Sequence, residues 1–214
     1  MQLYSYFRSS AAYRVRIALN IKGLDYEYLP VHLLRSGGEQ LSADYRKLHP
    51  DALVPTFVDG DAVLQQSLAI VEYLEETHPE PPLLPRAPLD RAYVRAVAMQ
   101  IACEIHPLDN LRVLRYLVHE LGVSDEARNR WYRHWIESGF ASLEARLALD
   151  SRTGTCVFGD APTLADACLV PQVFNANRFG IDLTPYPTIR RINDYASSLD
   201  AFVRAAPGAQ PDAE

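Results

Sequence analysis

Three short segments in the first third of the chain carry residue types suited to holding an anion or an extended polar ligand. The first is Arg8-Ser9-Ser10, which lies between the aromatic-rich run QLYSYF at 2–7 and a helical pattern. At a helix start, unpaired N–H groups and the helix dipole favour a thiolate or a carboxylate. Either serine also reads as an ordinary N-cap, and the two roles are compatible. The second is Val54-Pro55. A proline opening a strand removes a ladder donor, leaves the Val54 backbone free to pair with an extended ligand, and admits a cis bond. The third is Gln66-Ser67, an amide and a hydroxyl at a helix start, which suits a carboxylate or a simple cap.

The elements around these segments read as one small α/β domain. Ala12, Val15 and Leu19 recur at helical spacing until Gly23, and a β-rich run follows from Tyr26 to Val31, giving a βαβ unit. Residues 32–53 are polar. Pro55 to Val58, the turn Asp59-Gly60-Asp61 and Ala62 to Leu64 form a hairpin signal, and a helix runs from Ser67 to Thr77. The order βαβ-ββα predicts a thioredoxin-like domain over 1–78 with a four-stranded mixed sheet. In that topology the three segments converge on one sheet edge.

Five prolines between Pro79 and Pro88 predict a linker over 79–87. Beyond it the periods are helical, with Val94, Val97, Ile101, Ile105 and Leu108 on one stripe and Ile136, Phe140, Leu143 and Leu147 on another. These predict an all-α domain over 88–206, with a helix kinked at Pro107 and a capping box formed by Thr163 and Asp166. The composition after Phe202 predicts a loose tail over 207–214. Arg14 and Arg16 read as surface charges.

Composition narrows the function classes. The 214 residues carry a net charge of −6, so nucleic acid is not an expected partner, and no apolar run approaches the roughly 18 residues of a membrane span. Cys103, Cys156 and Cys168 form no CxxC and read as packing residues in a reducing, cytoplasmic setting. No residue set has metal-ligand spacing, and no metal is expected. His106, a lone histidine before a proline, is given no catalytic role.

The chain resembles zeta-class glutathione transferases, the group of maleylacetoacetate and maleylpyruvate isomerases, over essentially its whole length. The strings that carry the resemblance are YFRSSAAYRVRIAL at 6–19, LVP at 53–55, QSLAIVEYLEE at 66–76 and DLTPYPTI at 182–189. It implies the glutathione transferase fold, glutathione as cofactor and a homodimer. It places Ser9 nearest the glutathione sulfur with Ser10 as alternative donor. It also pairs Val54, before Pro55, with the cysteinyl backbone, and sets Gln66 and Ser67 on the γ-glutamyl carboxylate. Asp109 and Asn110 resemble family positions that reach towards glutathione from the helical domain, and an Asp or Asn beyond a proline also reads as the cap of a turn. One departure matters: Ala11 and Tyr13 stand where the family usually has cysteine and tryptophan. With no thiol in the first domain, thiol–disulfide exchange is disfavoured.

The implied reaction is cis–trans isomerisation of a maleyl double bond in a small dianionic substrate of aromatic catabolism. A free thiol has a pKa of about 8.5, so the protein must stabilise the thiolate, and a shift of about two units requires roughly 2.7 kcal/mol. Dianionic substrates need cationic donors, and Arg8, Arg112 and Arg178 are expected to face the cleft. Arg112 matches maleylpyruvate isomerases more than the animal enzymes. It also reads as a solvated residue beside Arg115. Two other readings compete: a general transferase acting on small α-halo acids, and a non-catalytic binding module.

Overall fold

Leu3 and Ser5 are buried in β1 (Gln2–Ser5) while Gln2 and Tyr4 are half-buried, the period of two that a strand covered on one face requires. The computed structural model describes residues 1–214 in two units, Met1–Leu83 with Ser198–Glu214, and Leu84–Ser197. In the first, β1 pairs in parallel with β2 (Glu27–Pro30) and antiparallel with β3 (Thr56–Asp59), which pairs with β4 (Ala62–Gln65). The order β2-β1-β3-β4 is the expected four-stranded mixed sheet.

Helix α1 (Ser10–Ile21) connects β1 to β2. Ser9 caps its start, and Gly23, at φ +63°, ends it in a Schellman motif, with Gly23 N–H bonded to Asn20 O and Leu24 N–H to Leu19 O. Ala12, Val15, Ile17, Ala18 and Leu19 of α1 are fully buried. The short α2 (Ala43–Leu48) precedes β3, and α3 (Ser67–Thr77) follows β4 and packs on α1.

Three expectations are corrected here. Arg14 and Arg16 are 2% and 0% exposed. The Arg16 guanidinium is buried because it replaces water with four acceptors: Ala205 O, Ser5 Oγ, Tyr6 O and Phe7 O. The tail is anchored. The helix Asp200–Ala205 packs on α1, Gln210 donates to Arg204 O and Ala206 O, and Asp212 and Glu214 bond residues of the first 35. Composition failed to foresee this because polar groups, not apolar ones, hold the segment. The Pro-rich stretch is divided: Lys22 Nζ bonds Glu75, His78 O and Pro81 O, and Glu75 accepts from Leu83 N–H, so residues to Leu83 belong to the first unit.

In the second unit, α4 (Pro88–Met99) runs into a π-helical segment over Gln100–Ile105 and a 3-10 turn over His106–Asp109, after which Asn110 caps α5 (Leu111–His119). The expected kink at Pro107 is thus a change of helix type. Helices α6 (Asp125–Leu149), α7 (Leu164–Arg178) and α8 (Pro187–Ser198) complete the unit. The predicted stripes are the core: Val94, Val97, Ile101, Ile136, Phe140 and Leu143 have no exposed surface, and Ile105 and Leu147 almost none. Leu108 is only half-buried. Thr163 and Asp166 form the capping box, and twelve of the fifteen residues of α7 are buried. Cys156 and Cys168 are buried, but Cys103 is exposed, against the expectation of packing. No helix is long and apolar enough to cross a membrane.

Candidate active site

The sheet register brings the three N-terminal segments together. Tyr4 pairs with Thr56 and Thr56 with Gln65, so one row of residues crosses β1, β3 and β4 at the end where α1 begins, where Pro55 leads into β3 and where α3 begins. Arg8, Ser9, Ser10, Val54, Pro55, Gln66 and Ser67 all follow or precede that row by a few residues.

Ser9 is the N-cap: its Oγ accepts from Ala12 N–H at 3.2 Å. A hydroxyl used as acceptor keeps its own hydrogen, so capping leaves Ser9 a donor for an anion. Ser10, the first helical residue, is 5% exposed. Arg8 does not extend into solvent. Its Nε and Nη2 donate to Tyr6 Oη at 3.1 and 2.7 Å, and its guanidinium lies 4.9 Å from the Phe7 ring centroid.

The Val54–Pro55 bond is cis, and neither main-chain group of Val54 takes part in a turn or loop hydrogen bond. Tyr45 brackets this segment. Its hydroxyl donates to Leu53 O at 2.6 Å and lies 2.9 Å from Thr56 Oγ1. Burial pushes the Tyr45 hydroxyl up to about 12, so it stays a neutral donor near neutrality.

Gln66 has φ +68°, a left-handed conformation that costs a non-glycine residue about 1–3 kcal/mol. Its side chain is exposed and makes no capping bond, so the simple-cap reading of Gln66 does not hold. The neighbours stabilise the strained turn: Gln65 Nε2 donates to Leu48 O at 2.8 Å, and buried Arg14 donates through Nη1 to Ser67 Oγ at 3.2 Å. Ser67 is 7% exposed at the N-terminus of α3, where helical N–H groups lack intrahelical partners. Tyr45, Arg14 and Arg16 were missed as site supports. The only signal for them is tertiary.

The remaining candidates belong to the helical unit. Asn110 Oδ1 accepts from Arg112 N–H at 3.0 Å and caps α5. Arg112 is exposed on α5, and Arg178 is exposed at the end of α7 with its guanidinium 5.1 Å from the Phe179 ring. At the end of the 3-10 turn, Asp109 is 6% exposed with neither carboxylate oxygen bonded. Burial pushes its carboxyl up to about 8.

The sequence profile of the glutathione S-transferase N-terminal domain matches residues 3–82. A probable maleylacetoacetate isomerase of Vibrio cholerae is 54% identical over 211 residues, 99% of this chain and 97% of that one. Among solved structures, the holo form of maleyl pyruvate isomerase, a bacterial zeta-class enzyme, superposes with a TM-score of 0.97 at 50% identity, all of both chains being covered. A maleylacetoacetate isomerase from Anaeromyxobacter dehalogenans with dicarboxyethyl glutathione and citrate bound in its active site gives 0.87 at 44% identity, over 100% of this chain and 93% of that one. The chain belongs to the zeta-class glutathione transferases, the family of the maleylacetoacetate and maleylpyruvate isomerases.

Proposed function

We propose that the chain is a glutathione-dependent cis–trans isomerase of maleylacetoacetate or maleylpyruvate. The observation that carries this reading is the sheet edge on which a capping hydroxyl at Ser9, the main chain of Val54 and the strained turn into Ser67 stand together. These groups fit a tripeptide thiol: an extended backbone pairs with Val54, a carboxylate meets the start of α3 and Gln66, and an anionic sulfur meets Ser9 at the start of α1. Glutathione supplies a sulfur nucleophile whose reversible addition turns the maleyl double bond into a rotatable single bond.

The chain's own residues do the rest. Ser9 donates its hydroxyl hydrogen toward the sulfur, and the α1 dipole adds to that stabilisation. Ser10 is the alternative donor. Arg8, held on Tyr6 and Phe7, and the exposed Arg112 and Arg178 are the donors we assign to the substrate carboxylates and to the charge that develops on the enone oxygen. Asn110 keeps its amide nitrogen for glutathione while its oxygen caps α5.

The dicarboxyethyl glutathione bound by the A. dehalogenans relative supports this chemistry, because a dicarboxyethyl group on sulfur is what thiol addition to a four-carbon cis or trans diacid yields. We assign a homodimer as the working form. Three free cysteines suit the cytoplasm. The test is glutathione-dependent loss of maleyl-enone absorbance with each substrate, the fumaryl product being detected by a coupled hydrolase. Turnover of either supports the proposal, and a preference of about tenfold, roughly 1.4 kcal/mol, identifies the substrate. Glutathione binding without turnover of either refutes it in favour of conjugation chemistry.

A further inference from the structure

The turn that presents Arg8 and Ser9 is clamped from a part of the chain about two hundred residues away. Tyr6 to Ser9 form a turn closed by Ser9 N–H on Tyr6 O at 2.9 Å. On one side Arg16 of α1 donates to Tyr6 O at 3.4 Å and to Phe7 O at 2.9 Å. The Phe7 N–H, which faces the other way, donates to Asp212 Oδ2 at 3.1 Å, while Asp212 Oδ1 accepts from Tyr28 Oη at 2.6 Å. The segment that carries Asp212 is itself fixed, by Arg16 on Ala205 O and by Gln210 on Arg204 O and Ala206 O. Burial pushes the Arg16 guanidinium below its ordinary pKa, and the Asp212 carboxylate is one of the groups that offset this.

We propose that Asp212 is a positioning residue for the reaction: it fixes the Phe7 amide and so the direction in which the Ser9 hydroxyl and the first turn of α1 face the glutathione sulfur. This rests on the proposed isomerase reading. The carboxylate suits the task because it accepts from two donors at once, one on each oxygen, whereas an amide offers only one acceptor atom. It acts on the alignment of the thiolate donor and not on the Val54 or Ser67 contacts, which sit just before β3 and at the start of α3. Its loss therefore affects thiol ionisation and leaves the affinity for the protonated thiol form of glutathione nearly intact.

The experiment compares wild type, Asp212→Asn and Asp212→Ala by three readouts. Amide hydrogen exchange in the ligand-free protein reports the clamp directly, and Asp212→Ala is expected to raise exchange at Phe7 and its neighbours at least tenfold. The ultraviolet absorbance of bound thiolate against pH is expected to show the thiol pKa rising by about one unit in Asp212→Ala and less in Asp212→Asn. With the wild-type bound thiol ionising about two units below the free value of about 8.5, a one-unit rise lowers the thiolate fraction, and kcat with it, about threefold at pH 7 and nearly tenfold at about pH 5.5. Glutathione affinity by calorimetry at about pH 5.5, where the bound thiol is mostly protonated, is expected to change by less than about threefold while kcat at that pH falls nearly tenfold, a split that fold damage alone does not produce. Unchanged exchange at Phe7 overturns the clamp. Raised exchange with an unshifted thiol pKa overturns the positioning role. If wild type binds no glutathione, the isomerase reading fails and the role toward sulfur with it, while the exchange result still decides the clamp.

Discussion

Tyr45→Phe is the sharpest probe of how the fold holds the Val54 edge. The substitution keeps the ring, which is 6% exposed and packs beside Tyr4 and His49, so the core contacts survive. What goes is one hydroxyl lying 2.6 Å from Leu53 O and 2.9 Å from Thr56 Oγ1. A neutral hydrogen bond contributes about 1 kcal/mol net, and a buried acceptor left unpaired adds a cost of the same order, so the variant should lose about 1–2 kcal/mol. Most of that loss falls on residues 53–56, because both partners flank Val54-Pro55. If the segment leaves its binding-competent geometry by that amount, the fraction competent falls and glutathione binds up to about tenfold more weakly. Calorimetric titration with glutathione and thermal unfolding of the same samples measure both quantities. A melting temperature lowered by a few degrees with an unchanged dissociation constant refutes the reasoning, since it separates the Tyr45 bonds from the ligand edge.

Three further outcomes follow from groups outside that edge. Asp109 holds its proton up to about pH 8 in the fold but only to about 4 when unfolded, so its contribution to stability falls as pH rises between those values, by at most about 1.4 kcal/mol per unit. Asp109→Asn should therefore raise the melting temperature more at pH 8 than at pH 5, and equal effects at both contradict a buried, neutral Asp109. A Cβ on Gly139 would lie 2.4 Å from two carbons of the buried Ile105 side chain, so Gly139→Ala should destabilise by about 1–3 kcal/mol in urea unfolding despite alanine's better helix propensity. Lys22→Met strands the buried Glu75 carboxylate and removes the bonds to His78 O and Pro81 O, with an expected cost of about 3–5 kcal/mol that denaturant titration reads.

The legible part of the fold was the part written locally. The cap at Ser9, the hairpin around Asp59-Gly60-Asp61 and the Thr163–Asp166 box each depend on residues within a few positions of one another, and the stripes of α4 and α6 show their period directly. Arg14 and Arg16 were misread because an arginine pair in a helix ordinarily marks a wet face. Here the acceptors that make burial tolerable come from the β1–α1 turn, from α3 and from the chain's closing segment. The same holds for that segment. Asp212 finds its partners 184 and 205 positions away, a pairing that composition does not encode. At the site, the residue types at Val54, Gln66 and Ser67 were readable. The strain at Gln66, the bracket at Tyr45 and the inward fold of Arg8 onto Tyr6 were not, because each arises from register and packing between strands.

The most direct measurement is the ionisation of bound glutathione in wild type, Ser9→Ala and Ser10→Ala, followed by thiolate absorbance across pH. Ser9 donation and the α1 N-terminus together predict a bound thiol ionising about two units below the free value of about 8.5, returning by at least one unit in Ser9→Ala and little in Ser10→Ala. A bound thiol that titrates like free glutathione in wild type, or a shift that survives loss of the Ser9 hydroxyl, contradicts the account.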